Sequence, residues 1–390
     1  MSFFDDWITS TTAALREQGL WRRIPELDHG ADLMVVINGT EVINLASNNY
    51  LGLTGSGAMK EAAVRAVRTY GTSSSASRLV TGTFELYNRL EAALAEFKHQ
   101  ESCLVFGSGY TANLGLVTAF ADRGSVVFSD RLNHASIVDG IVMSRARHVR
   151  YRHNDMDHLR YCLEKYRDVP RKFLVTDSVF SMDGDRADLC SIVTLCQEHD
   201  VVVMVDEAHA TGVLGSGRGL ACELGLEKEI PVHMGTLSKG LGAYGGFVCA
   251  RHDIIDVLKN RARSFVFSTS LPPCVIAAGL CGVASVTKDP GQGRSLLDSA
   301  TRLRDFLRSL GFDTGCSTTQ IIPVIIGENA KTLWARDHLL ASGVLVSAIR
   351  PPTVPRNTSR LRLALRGDMQ EDHLARIMEA FDRLRREMGK

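Results

Sequence analysis

Short apolar runs recur through the middle of the chain, at 102–106, 125–128, 148–151, 172–176, 201–205, 232–234 and 246–250. Stretches with helical spacing separate most of them. Runs this short, apolar on both faces, predict a mostly parallel sheet covered by helices on each side. Upstream, 5–20 has a helical pattern (Trp7, Ile8, Ala13, Ala14, Leu15) that leads to Arg22-Arg23, and 33–37 and 42–45 read as strands. A Gly/Ser/Thr-rich loop, 71–78, precedes an amphipathic helix at 87–98. Downstream, helical text at 275–287 and 293–310 is followed by strands at 320–326 and 360–364 and a last helix at 370–388. The expected fold class is α/β. An N-terminal segment (1–45) precedes a large domain with the parallel sheet (46–285) and a smaller C-terminal α+β domain (286–390).

Composition narrows the function classes. Of 390 residues, 45% are hydrophobic and 23% charged, as in soluble globular proteins. The net charge of +1 points to neither nucleic acid nor a membrane surface. Nine cysteines at irregular spacing, with no C-x-x-C pair, read as buried free thiols in a reducing compartment. The twelve histidines show no ligand spacing, so no metal is expected. The N-terminus is acidic where a signal peptide is basic, and no run approaches a membrane span, so a cytoplasmic location is expected.

The most informative stretch is 201–245. The run Val201-Val202-Val203-Met204-Val205 ends in Asp206-Glu207-Ala208-His209, and Gly235-Thr236-Leu237-Ser238-Lys239-Gly240 follows. A carboxylate at a buried strand end, a histidine three residues on and one lysine among small residues suit bound pyridoxal 5′-phosphate (PLP). The lysine would link to the cofactor aldehyde, the carboxylate would keep the pyridine nitrogen protonated, and the histidine could bond the phenolic oxygen.

A second window, Gly107-Ser108-Gly109-Tyr110-Thr111-Ala112, runs from a strand into a helix and offers free N–H groups to an anion. It also spells G-x-G-x-x-A, with Asp130 about twenty residues on, so a nicotinamide-dependent dehydrogenase stays open from this window. Two decoys fall away. Gly240–Gly245 spells G-x-G-x-x-G but precedes a β-type run, and the helicase-like Asp206–His209 lacks a phosphate-binding G-x-x-x-x-G-K-[ST]. His134 and the turn 178–185 each follow a strand's C-terminal end, where α/β folds place ligands. Arg350, before Pro351-Pro352-Thr353-Val354-Pro355, is a candidate carboxylate partner or else a surface arginine in a stiff loop.

Together these windows resemble the α-oxoamine synthase family of fold type I PLP enzymes. The match runs from Asn44-Leu45-Ala46-Ser47-Asn48-Asn49-Tyr50-Leu51-Gly52 to Arg360-Leu361-Arg362-Leu363. It includes Asp130–Ser136, Phe180–Asp185, Asp206–His209, Ser238-Lys239-Gly240 and Ser268–Pro273. One departure is the loop 72–77, which has fewer glycines than the family's.

The resemblance implies that Lys239 is the Schiff-base lysine and catalytic base, that Asp206 pairs with the pyridinium, and that His209 and Ser181 bond the phenolic oxygen. His134 would stack on the ring. Gly109, Tyr110, Thr236 and Ser238 would hold the phosphate and its surroundings, with Thr269 supplied by the second subunit of a homodimer that shares its active site. Asn48 and Arg350 would bind the amino-acid carboxylate. Arg22 or Arg23, with Thr353, would meet the acyl substrate. The text at 348–355 is most similar to the branch that joins L-alanine to a pimeloyl thioester, carried by CoA or acyl-carrier protein, with loss of CO2. Branches using glycine or serine with other thioesters remain open.

Overall fold

The computed structural model describes residues 2–22, 24–27, 32–37 and 39–389. They form two compact units. The larger holds Asn48–Ser181 and Asp185–Leu297; the smaller joins Met1–Ser47, Met182–Gly184 and Asp298–Lys390. The sequence places the second boundary at 285/286 and sets 1–45 apart. In the structure the N-terminal residues share a unit with Asp298–Lys390, because the strand Thr40–Asn44 pairs there with Val344–Leu345.

In the larger unit seven strands make one sheet, in the order Ser102–Phe106, Gly246–Ala250, Val232–Thr236, Val202–Asp206, Arg171–Asp177, Ser125–Asp130, Arg147–Tyr151. Gly246–Ala250 runs opposite in direction to the other six. It can do so because a tight loop, 237–245, connects it to the preceding strand where a parallel neighbour would need a crossover helix. The strands Ser125–Asp130, Val232–Thr236 and Gly246–Ala250 are buried throughout, the polar Ser129, Asp130, His233 and Thr236 among them as well as the apolar positions. Val202, read as core, is instead exposed at the start of its strand.

Helices Gly109–Phe120, His252–Arg261 and Arg263–Val266 pack on the sheet, with Leu116, Val117, Ile255 and Phe265 in one apolar cluster with Val248 and Met234. Ser108 starts the first of these: its Oγ accepts from Thr111 N while Thr111 Oγ1 accepts from Ser108 N, which satisfies two donors at the helix end. The helix Gly57–Tyr70 was not foreseen. Its text is half alanine and charge, and it buries only Met59 and Ala66.

The smaller unit contains two three-stranded sheets. In one, Thr40–Asn44 lies between Met34–Ile37 and Val344–Leu345. In the other, Ser359–Ala364 lies between Ile321–Gly327 and Ser347–Ile349. The two short strands at 344–349 carry too few residues to register as a pattern. Among the described residues no helix is long and apolar enough to cross a membrane. The cysteines are all unpaired, but Cys190 and Cys316 are exposed, which corrects the expectation that the thiols are buried.

Candidate active site

Six of the seven strands point their C-terminal ends to one edge of the sheet, and the segments that follow them carry Gly109, Tyr110, His134, Ser181, His209, Ser238 and Lys239. Asp206 ends its strand with its carboxylate buried. Oδ2 accepts from Asn113 Nδ2 at 2.7 Å and Oδ1 from Ala208 N at 2.8 Å. Asn113 also donates to Ser136 Oγ at 2.9 Å, and that hydroxyl lies 2.7 Å from His134 Nδ1. His134 caps the helix Ala135–Ser144 and is exposed. Desolvation by the surrounding protein holds its pKa below the usual histidine value, with Lys239 acting the same way and Asp206 opposing.

Lys239 lies in the loop 237–245. Its Nζ is 2.9 Å from His209 Nε2, and His209 Nδ1 is 2.6 Å from Tyr50 OH, which also reaches Asn48 Oδ1 at 3.2 Å. Two glycines allow this approach. A Cβ on Gly240 would sit 2.4 Å from Thr211 O, and one on Gly212 (φ +89°) 2.9 Å from the Gly240 Cα. The lysine loop is therefore pressed against the segment that follows Asp206. Thr236 Oγ1 donates to Gly245 O (2.7 Å) and accepts from Ser238 N (3.1 Å), which closes the loop's neck.

Asp177, on the neighbouring strand, is in register with Asp206. Burial, and then the Asp206 carboxylate, push its carboxyl well above the usual range, and its Oδ2 accepts from His134 N at 2.7 Å. Gly109 and Tyr110 open their helix, where the first N–H groups lack helical partners. Tyr110 OH donates to Asp139, and its ring stands edge-on to His134. Ser181 is half-buried beyond the strand Arg171–Asp177, and Asn48 is half-buried near Tyr50.

Thr269 is exposed and bridged to Ser77, while Ser270 N donates to Ala76 O and Ser74 Oγ to Ser270 O, each at 3.0 Å. The serine-rich loop is thus tied to the Thr269 stretch of its own chain. Arg78 anchors its end through both oxygens of Glu91, with the guanidinium 3.7 Å from the Tyr87 ring centre.

Glu207, the residue after Asp206, takes part in a fully buried ion pair. Lys98 Nζ donates to Glu207 Oε2 and Thr211 Oγ1, both at 2.9 Å, and to Arg218 O. Glu207 Oε1 accepts from Ala221 N at 2.9 Å. Against the desolvation that burial imposes, Lys98 and His233 hold the Glu207 carboxyl down to about 2. Its contribution to stability is therefore present above the usual glutamate value and lost as pH falls through about 2. Glu207→Gln leaves the Lys98 ammonium buried without a countercharge and should destabilise by about 3–5 kcal/mol. Urea unfolding near neutral pH measures this, and a loss under ~1 kcal/mol would contradict it.

In the smaller unit, Arg350 follows the strand Ser347–Ile349 and donates to the carbonyls of Gly19 and Trp21. Burial, then the charges of Arg336 and Arg22, lower its pKa, so excess positive charge collects there. Arg22 and Thr353 are exposed, and Thr353 N donates to Arg350 O at 3.1 Å. Arg23 lies outside the described residues. Sequence reasoning did not single out Tyr50, Asn113 or Asp177 as individual site residues. Asn113 had a legible signal, a lone amide in the apolar helix text Leu114–Phe120 follows. For Asp177 the signal is three-dimensional, since only strand register sets it beside Asp206.

Known proteins resemble this chain along nearly its whole length. Residues 40–381 match the family model of class I and II aminotransferases, and the chain belongs to that PLP-dependent family, with the fold type I architecture. Its curated relatives include the 8-amino-7-oxononanoate synthases of Geobacter sulfurreducens, 50% identical over 96% of this chain and 97% of the relative, and of Geobacter metallireducens, 48% identical over the same shares. Among solved structures, serine palmitoyltransferase from S. paucimobilis with bound PLP and myriocin superposes with a TM-score of 0.94 at 29% identity, over the whole of both chains. The dehydrogenase reading is set aside. Asp130, its would-be ribose partner, is occupied by Leu132 N, Asn154 N and His153.

Proposed function

We propose that this enzyme condenses L-alanine with a pimeloyl thioester to give 8-amino-7-oxononanoate, CO2 and free thiol, a step of biotin synthesis. The observation that carries the reading is the 50% identity to an 8-amino-7-oxononanoate synthase along 96% of the chain. The residues present fit PLP: a lysine for its aldehyde, a buried carboxylate for its ring nitrogen, and hydroxyls with a helix N-terminus for its phosphate. When bound, PLP supplies an electron sink for negative charge at the α-carbon of alanine.

The protein's part follows from the contacts above. Asp206, oriented by Asn113 and Ala208 N, would keep the proton on the ring nitrogen. His134, held neutral by its surroundings, would cover the ring, and Ser181 with His209 would bond its phenolic oxygen. Gly109, Tyr110, Thr236 and Ser238 would hold the phosphate, joined by Thr269 from a second subunit. Exposed Leu79, Val80 and Phe267, near the Ser77–Thr269 bridge, suit burial in such a homodimer. Lys239 Nζ would take the α-proton of alanine, and Tyr50 would fix which nitrogen His209 presents to it. The α-carbon then bonds to the thioester carbonyl carbon, the C–S bond breaks, the carboxylate leaves as CO2, and a proton takes its place.

Asn48 and Arg350 would bind the alanine carboxylate. Arg350→Ala should weaken alanine by about 30- to 1000-fold, the equivalent of roughly 2–4 kcal/mol for a desolvated charge pair. Titration of the bound cofactor's absorbance with alanine measures it, and an unchanged Kd removes Arg350 from the site. Arg22 or Arg23, with Thr353, would meet the far carboxylate of the pimeloyl chain.

The structural likeness to serine palmitoyltransferase favours the second reading, an acyltransferase for serine and a long apolar chain. Product analysis by mass spectrometry separates the two. The purified protein is offered alanine, glycine and serine against pimeloyl-, octanoyl- and palmitoyl-CoA. Preference for serine with palmitoyl-CoA overturns the main reading.

A further inference from the structure

His153 lies between two aspartates, one at the end of the strand Ser125–Asp130 and one in the turn that follows Ser181. Its Nδ1 is 3.0 Å from Asp130 Oδ1 and its Nε2 2.8 Å from Asp185 Oδ2. A carboxylate facing each ring nitrogen requires an N–H on both, so the ring is the imidazolium. The neighbouring backbone repeats the bridge. Asn154 N donates to Asp130 Oδ2 at 2.9 Å, while Asn154 Nδ2 donates to Asp185 Oδ2 at 3.1 Å and to Arg186 O at 2.9 Å. The Phe180 ring meets the imidazole edge-to-face at 4.5 Å, and it precedes Ser181. Asp130 ends the strand before the His134 loop, and its Oδ1 also accepts from Leu132 N. Asp185 closes the Ser181 loop by accepting from Phe180 N at its carbonyl.

We propose that His153 is a positioning residue whose imidazolium ties the loop carrying His134 to the loop carrying Ser181, and so sets the spacing of two side chains that face the cofactor. The cofactor-facing part rests on the functional reading above; the tie itself does not. Asp130 and Asp185 are the charged groups that act on the ring. They outweigh the desolvation that opposes its charge and raise its pKa to about 10. The sign follows. Stabilisation by the clamp is complete below the ordinary histidine value of about 6.5, declines as pH rises, and is lost as pH passes about 10.

The test begins with apo protein, without turnover. In histidine-labelled wild type, NMR should show one imidazole still doubly protonated at pH 8, and His153→Gln should remove that signal. Amide exchange at 131–136 and 178–181 should quicken together by roughly tenfold in His153→Ala, and by less in His153→Gln, which keeps one donor. The PLP Kd should rise by about tenfold in the alanine variant and recover partly in the glutamine one. If His153→Ala does not fold, the wild-type titration and the glutamine variant still decide. A His153 ring that titrates near 6.5, or exchange at the two loops unchanged in both variants, overturns the clamp. Wild-type protein that fails to bind PLP overturns the functional reading, while titration and exchange still judge the tie between the loops.

Discussion

Lys239→Ala is expected to lower turnover by about 10^4-fold, the upper end of what a positioned base contributes, because the same amine also holds the cofactor covalently. The fold around it should survive. Lys239 is half-buried, and the close approach of Gly240 to Thr211 and Gly212 is made by backbone that the substitution leaves alone. His209 keeps Tyr50 at 2.6 Å and Asp206 keeps both its donors. The variant should therefore still bind PLP, but by contacts that dialysis reverses. Borohydride reduction followed by peptide mass analysis checks this: the wild type should retain a pyridoxyl group on the peptide with Lys239, and the variant should retain none. Turnover within tenfold of wild type would remove Lys239 from the chemistry.

The second large effect is expected at Asp206. Asn keeps the shape but loses the charge that would hold a proton on the ring nitrogen, and removing one such preorganised group costs roughly 10^2- to 10^3-fold in kcat. A local cost adds to this. Asp206 accepts from Asn113 with one oxygen and Ala208 N with the other, whereas an amide has a single oxygen. One donor is left facing an NH2 group. The change should also bring the carboxyl of Asp177 down toward ordinary values, since the Asp206 charge is one of the two main influences raising it. Near-normal kcat in Asp206→Asn would rule out the pairing with the ring nitrogen.

What could be read in the chain depended on the range of the forces involved. The parallel sheet was legible because strands buried on both faces carry short apolar runs, such as Val126-Val127-Phe128 within Ser125–Asp130. Asp206, His209 and Lys239 were legible because their chemistry is concentrated in short windows. Asp177 was not, because its environment depends on the register between two strands. Glu207 sat in plain view within Asp206–His209, yet its partner Lys98 is more than a hundred residues away. The helix Gly57–Tyr70 was missed although its text is as amphipathic as that of Glu85–Phe97, which was read. The unit boundary was misplaced because the strand Thr40–Asn44 finds its third-strand partner at Val344–Leu345, and no local pattern announces such a pairing.

That last pairing has a consequence for how the molecule is made. A ribosome adding roughly 5–20 residues per second delivers Val344 about 15–60 s after Ile43, its partner in the parallel ladder. During that interval the larger unit can complete its sheet while one edge of the strand Thr40–Asn44 waits for its partner. The three-residue stretch Met182–Gly184 waits too, since Thr318 N and Thr319 Oγ1, which both donate to the Gly184 carbonyl, have not yet been synthesised. Synthesis thus leaves one edge of Thr40–Asn44 open until residue 344 is made, a strand edge where a chaperone would have most to cover.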